Sequence, residues 1–266
     1  MPTAPGPLQF GARTTEPAPR TLEEMREVLL DPSFLHYADL KRPVYFMYRG
    51  LFLSERDGAL LKERGLRYDI TVIPPGTLGR EFVKTLGHYH PPVPGSGMTY
   101  PELYEVLEGE AHYLLQTVAG GATAGDPPGA AAPASTGPPP LPGGLKDAVL
   151  VRAKAGDKVL IPPGYGHVTI NPSRKVLRMA NLVADGFQSL YEPYRRAGGA
   201  AYYETSDGKF APNPRLAPSP PLREAKPARE VARGGEIYGW LRKAPDELAF
   251  LTRPREFADL WRRVLR

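Results

Sequence analysis

The chain has 266 residues, a formal net charge of +5 and no cysteine. That length can bury a full core, as one domain with extensions or two small ones, and the missing thiols exclude disulfides, thiolate ligands and a cysteine nucleophile. Acidic residues are spread among the basic ones, so there is no stripe for nucleic acid, and no apolar run approaches membrane-spanning length.

Residues 1–20 are rich in Pro and Thr and are expected to form an arm; without an apolar stretch they do not read as a signal peptide, which makes a cytoplasmic protein the expectation. Thr21-Leu22-Glu23-Glu24 is a capping-box start for a short helix through Leu30, and Ser54-Glu55-Arg56-Asp57 opens another reaching about Lys62. Strand-like runs cover Pro43–Tyr48, Arg67–Ile73, Glu81–His90, Glu102–Leu107, Ala111–Thr117, Ala148–Ala153, Lys158–Pro162, His167–Asn171 and Val176–Val183. Many short strands separated by Gly/Pro turns fit an all-β sandwich or barrel. Between Val118 and Lys146 the chain is mostly Ala, Gly and Pro, too poor in large apolar groups to offset its ordering entropy, and reads as a surface loop. Beyond Pro218–Pro221, a linker by composition, Phe257, Leu260, Trp261, Val264 and Leu265 recur at helical spacing from about Arg255. That stripe suits a helix docked on its own barrel or a dimer contact equally. Three parts follow: an arm with a short helix (1–42), a barrel (43–190), and a post-barrel segment ending in the helix (191–266).

Two histidine segments carry the chemistry. Gly87-His88-Tyr89-His90 is followed by Glu102 and Gly109; Gly156, Pro162, Gly164, His167 and Asn171 follow at regular short intervals. Residues two apart on a strand share a face, so His88 and His90 can reach one point, and Glu102 and His167 can join them from other strands of a closed barrel. Three imidazoles and one carboxylate suit a divalent transition metal. The other histidines, His36 and His112, have no partner pattern and read as surface or packing residues.

These spacings resemble the two motifs of the cupin superfamily, with a longer loop between His90 and Glu102. Within it, Tyr68–Gly76 followed by Lys84-Thr85-Leu86-Gly87-His88-Tyr89-His90, then Glu102-Leu103-Tyr104, Ala184-Asp185-Gly186 with Tyr191, and Asp207-Gly208 with Asn213-Pro214, resemble the cupin-type glucose-6-phosphate isomerases. The likeness covers roughly residues 43–216. It implies a cupin (double-stranded β-helix, or jelly-roll) barrel acting on a small phosphosugar, and leaves the N-terminal arm and the C-terminal helical extension, read from the residues, outside it. It further implies one metal, Fe2+ first among Ni2+, Mn2+, Co2+ and Zn2+, on His88, His90, Glu102 and His167, in a homodimer of the glycolytic and gluconeogenic pathways. Glucose 6-phosphate and fructose 6-phosphate are the implied pair, and Thr71, Thr85 and the Gly87 backbone the implied phosphate end.

Aldose–ketose isomerisation moves hydrogen between C1 and C2. A divalent ion on the two oxygens stabilises the charge that develops there. Glu102 is the carboxylate placed to carry the proton, although a hydride shift would need no base. If Glu102 points inward, Tyr104 and Val106 do too, while Leu103 and Glu105 face out; Tyr104 is then a candidate for the catalytic pocket. Thr85 is out of phase with the histidines unless a bulge at Gly87 brings it round. Tyr48 and Tyr191 are further substrate-binding candidates by resemblance. A cupin oxygenase would carry the same ligand set, and a non-catalytic sugar-binding cupin is the third reading. Polar groups opposite the metal would favour the isomerase, an apolar aromatic cavity the oxygenase.

Overall fold

Two sheets carry the fold in the computed structural model, which describes residues 5–118, 144–228, 231 and 235–266. The strands are β1 (Ala18–Thr21), β2 (Pro43–Tyr48), β3 (Leu66–Ile73), β4 (Glu102–Glu108), β5 (Glu110–Val118), β6 (Leu145–Lys154), β7 (Lys158–Ile161), β8 (Gly166–Ile170), β9 (Leu177–Ala184) and β10 (Leu222–Ala225). The larger sheet runs β7-β4-β9-β3-β2-β1 and the smaller β8-β5-β6-β10. Pairings within both are antiparallel except β6 with β10. The inner faces meet through large side chains: the Tyr104 and Tyr113 rings are 5.2 Å apart, and Tyr113 Oη donates to Met179 Sδ at 3.4 Å. This is the all-β cupin barrel that the motifs implied.

Strand alternation assigns the inner surface of the larger sheet. Across β3, β9 and β4, cross-strand partners set Arg67, Val183 and Glu102 in one row, and Asp69, Asn181 and Tyr104 in the next. Thr71 pairs with Met47 on one side and Met179 on the other. Successive residues of a strand point to opposite faces, so each row presents its side chains together.

The expected strand Glu81–His90 is shorter than its sequence suggested. Only Glu81–Phe82 is a ladder, after which contact continues as single bridges, Lys84 to Ile170, His88 to His167 and Tyr89 to Leu190. Between the first two bridges one side has four steps and the other three. The extra residue falls beside Gly87, whose φ is +89°. A bulge at this glycine was the condition for Thr85 and the histidines to share a face.

The arm is not separate from the barrel, because β1 pairs with β2 as an edge strand of the larger sheet. The capping box forms, with Thr21 N–H on Glu24 Oε2 at 2.8 Å, but the α-helix is one turn, Leu22–Met25, continued by a 3-10 turn over Arg26–Val28. The helix after Ser54, α1, runs Glu55–Glu63. Past the barrel, α2 spans Glu192–Ala197 and α3 spans Ile237–Lys243, the latter not anticipated.

The tail docks on its own barrel. Tyr238 of α3 packs edge-on against Tyr68 at 4.9 Å and Phe10 at 5.4 Å, and its hydroxyl donates to Asp57 Oδ2. The Ile237 N–H donates to Glu105 Oε2 at 2.8 Å, so the outward carboxylate of β4 is buried under the tail and paired with Lys158. The helix expected from Arg255 is a 3-10 turn, Pro254–Phe257, and one α turn, Ala258–Trp261, with Trp261, Val264 and Leu265 buried. Among the described residues, no helix is long and apolar enough to cross a membrane.

The Ala/Gly/Pro-rich stretch 119–143 lies outside the described residues, but its ends do not. Val118 and Leu145 face each other across the β5–β6 ladder. The chain is therefore already held closed at the base of this insertion, and loop length itself costs little. Replacing residues 119–143 by a short turn is expected to leave the melting temperature and metal content within error of the parent. A melting temperature lower by more than about 5 °C would show that the stretch packs on the barrel.

Candidate metal centre

The backbone brings the two histidine motifs into register before any side chain is considered. His88 N–H donates to the His167 carbonyl at 3.2 Å and His167 N–H to the His88 carbonyl at 3.0 Å. Their rings therefore start from paired positions, with centroids 4.4 Å apart. The bulge at Gly87 turns His88 inward, and His90 follows two residues on.

Three of the four ligand candidates gather at this point, and His167 reaches them through Glu102. His88 Nε2 and His90 Nε2 are 3.1 Å apart, and Glu102 Oε2 is 3.3 Å from His90 Nε2 and 3.3 Å from His167 Nε2. The donors of His88, His90 and Glu102 lie within 4.8 Å of one another. Ligands held about 2.1 Å from one ion lie roughly 3.0–3.4 Å from each other, which is the spacing of these three pairs; His167 stands outside the mutually close set and meets it through Glu102. Glu102 Oε2 is buried and accepts no well-formed hydrogen bond among the described residues, although two imidazole nitrogens flank it. A carboxylate oxygen set among nitrogens without hydrogen bonds is what convergence on a missing cation produces. The residues fit a divalent metal.

Their protonation fits as well. His90 Nδ1 is 2.9 Å from the Tyr100 carbonyl. A carbonyl only accepts, so Nδ1 carries a proton, the usual outer support of a ligating histidine, and Nε2 is the atom turned to the cluster. Burial opposes the Glu102 charge, yet the His167 and His90 imidazoles hold its carboxyl well below the usual carboxylate range. Burial pushes His88 well below its usual value, helped by His167 and His90, and burial lowers His167 despite Glu102. An ionised carboxylate beside His88 and His167 held neutral by burial is the state a metal needs, since protons must otherwise be displaced.

Around this cluster the cavity wall includes Tyr45, Met47, Arg49, Arg67, Asp69, Thr71, Thr85, Asn181, Phe187, Ser189 and Tyr191. Tyr104 reaches in as parity required; its hydroxyl is 3.0 Å from His167 Nε2, and burial followed by the Glu102 charge raises it well above the ordinary phenol range. Thr71 and Gly87 are at the wall, and Thr85 Oγ1 accepts from Thr169 N–H at 3.0 Å. The Tyr191 ring is 5.5 Å from His88 and lies under the Arg20 guanidinium. The post-barrel loop is pinned there by paired hydrogen bonds between Tyr89 and Leu190, at 3.0 and 2.8 Å.

Tyr48 is a correction. It lies on the opposite face of β2 from Tyr45 and Met47, and its hydroxyl donates to the Gly6 carbonyl at 2.7 Å. Tyr45 takes the place at the cavity; its hydroxyl accepts from Arg20 Nε. Sequence reading also passed over Arg49, Arg67 and Asp69. The last two share strand parity with Thr71, so that signal was available. Of the remaining histidines, His36 is exposed, whereas His112 is buried with Nδ1 2.8 Å from Glu204 Oε2.

Comparison with known proteins points the same way. The chain is 26% identical over 152 residues to glucose-6-phosphate isomerase of Thermococcus gammatolerans, covering 57% of this chain and 61% of the relative. It is 31% identical over 114 residues to that of Thermococcus litoralis (43% and 44%), and 29% over 110 to that of Pyrococcus furiosus (41% and 42%). The chain thus spans at most about 61% of these relatives' length. Among solved structures, an oxalate decarboxylase of Bacillus subtilis aligns with a TM-score of 0.35 at 13% identity, over 59% of this chain and 30% of its own, too little to bear on function. The model of one family, glucose-6-phosphate isomerase (GPI), matches residues 19–220, from β1 to just short of β10, and on that extent of match the chain belongs to the glucose-6-phosphate isomerase family.

Proposed function

We propose that this protein is a metal-dependent isomerase that interconverts glucose 6-phosphate and fructose 6-phosphate in the barrel cavity. The observation that carries the reading is the gathering of His88, His90 and Glu102, with His167 beside Glu102, in a wall that offers hydrogen-bonding groups among apolar ones. Arg49, Arg67, Asp69, Thr71, Thr85, Asn181 and Ser189 offer hydrogen bonds around it. Tyr45, Met47, Met179, Val183, Phe187 and Tyr191 share that wall, so the lining is mixed, and it is the hydrogen-bonding groups within it that suit a sugar phosphate. The names of the family relatives agree with it.

When bound, iron or another divalent ion would draw electron density from the C1 and C2 oxygens and so acidify the carbon-bound proton. The chain's own residues do the rest. Glu102, ionised and buried, is placed to take a proton from C2 and return it to C1, which breaks one C–H bond and forms the other while a proton passes between O1 and O2. Tyr104, held protonated, offers a hydrogen bond to a sugar hydroxyl. Thr71, Thr85 and the Gly87 backbone are suited to the far end of the substrate. The free space is only about 70 Å³, so rim side chains such as Phe187 would have to swing out as a hexose phosphate enters.

The test is metal analysis of purified protein coupled to a glucose 6-phosphate/fructose 6-phosphate assay. About one divalent ion per chain is expected, with activity lost on chelation and restored by adding the ion back. Protein that retains no metal, and stays inactive with every divalent ion supplied, would sink the proposal.

A further inference from the structure

Two arginines line the cavity, and only one of them is neutralised. Arg67 Nε bonds both carboxylate oxygens of Asp69 at 3.0 Å, and another of its nitrogens reaches Asp185 at 3.4 Å. Its charge is met by two carboxylates. Arg49 has no carboxylate within ion-pair reach among the described residues; its one polar contact is Met47 Sδ at 3.2 Å. Its backbone is nevertheless held, because the next residue, Gly50, turns the chain at φ +67° and donates its N–H to Asp69 Oδ1 at 2.9 Å. Its side chain lines the same cavity as His88, His90 and Tyr191. An exposed end on an anchored base, at the mouth of a cavity and lacking an anion, is a built position for one.

We propose that Arg49 binds the phosphate of the substrate and so selects a phosphorylated sugar over a neutral one. This rests on the isomerase reading but adds to it. The threonine hydroxyls and the Gly87 backbone offer neutral contacts, which do not by themselves discriminate strongly for a dianion; a guanidinium does. At the rim the guanidinium forms two parallel bonds to phosphate oxygens while the C1–C2 end lies at the metal cluster. Lysine at this position would keep the charge and lose the fork.

The experiment compares parent, Arg49→Gln and Arg49→Lys in metal-loaded form, with Arg152→Gln, outside the cavity, as control. With glucose 6-phosphate, Arg49→Gln is expected to raise KM about 10- to 100-fold, the range for a hydrogen bond to a charged group, with a smaller change in kcat. Inhibition by inorganic phosphate should weaken by a similar factor, and Arg49→Lys should recover part of both. Any slow turnover of unphosphorylated glucose should be the same in parent and variant. Unchanged KM and phosphate inhibition in Arg49→Gln, at equal metal content, would overturn the assignment and leave the isomerase reading intact. If instead the parent turns over no phosphosugar, the isomerase reading fails, and calorimetry with inorganic phosphate on parent and Arg49→Gln still decides: equal affinity overturns the assignment, a loss in the variant upholds an anion site at Arg49.

Discussion

Glu102→Gln is expected to leave the barrel folded, release most of the bound metal and lower turnover by about 10²- to 10⁴-fold, the range for a lost general acid–base. The change is nearly isosteric in a fully packed position, so the fold has little reason to respond. The charge is another matter. Glu102 Oε2 faces the imidazole nitrogens of His90 and His167 at 3.3 Å each, and the ligand set otherwise consists of neutral imidazoles. Glutamine would put an amide in their midst, keeping one weak oxygen donor and no charge. Circular dichroism, metal content and turnover on the same preparation separate these effects. In the unaltered enzyme, deuterium at C2 addresses the route: exchange with water during turnover supports proton transfer, and full retention supports a hydride shift. Near-normal turnover in the glutamine variant would remove Glu102 as a proton carrier.

What the sequence made legible was whatever depends on parity within one strand. His88 and His90 had to share a face, and Tyr104 had to follow Glu102 inward; both hold. Even the bulge was implied, because Thr85 and His88 cannot otherwise line one cavity. The misassignment of Tyr48 shows where parity stops. β2 reads Pro-Val-Tyr-Phe-Met-Tyr, apolar on both faces, because one face lines the barrel and the other lies beneath flanking chain. A strand buried on both sides gives no amphipathic signal to say which set points in. Phe187 and Ser189 were out of reach for a different reason: their place depends on the long-range pairing of Leu190 with Tyr89. The tail was legible as an apolar stripe that must be covered, not as the two short turns that carry it. In α3 the Gly239 interruption weakens helical periodicity, and its partners Tyr68, Asp57 and Glu105 are far away in sequence.

The second large effect is expected at Gly87, where fold and site depend on one missing side chain. At φ +89° a residue with a Cβ is strained by about 1–2 kcal/mol. A Cβ there would also meet Tyr194 Cδ1 at 2.5 Å and Val168 Cγ2 at 2.6 Å. Tyr194 is fully buried and Val168 is in β8, next to His167, so neither can retreat without moving the site. Overpacking of this kind adds about 1–3 kcal/mol. Gly87→Ala should therefore lose about 2–5 kcal/mol in all, which for a chain of this size is a drop in melting temperature of roughly 5–15 °C. Gly208→Ala is the control for strain alone, since Gly208 has φ +79° with nothing within 4 Å of the added atom. Its melting temperature should fall by less, with metal content unchanged. In Gly87→Ala metal content should fall as well, because His88 is the next residue and the bulge sets its direction. Equal melting temperatures for the two variants, with full metal occupancy in both, would mean that the close packing at Gly87 does not hold the metal ligands in place.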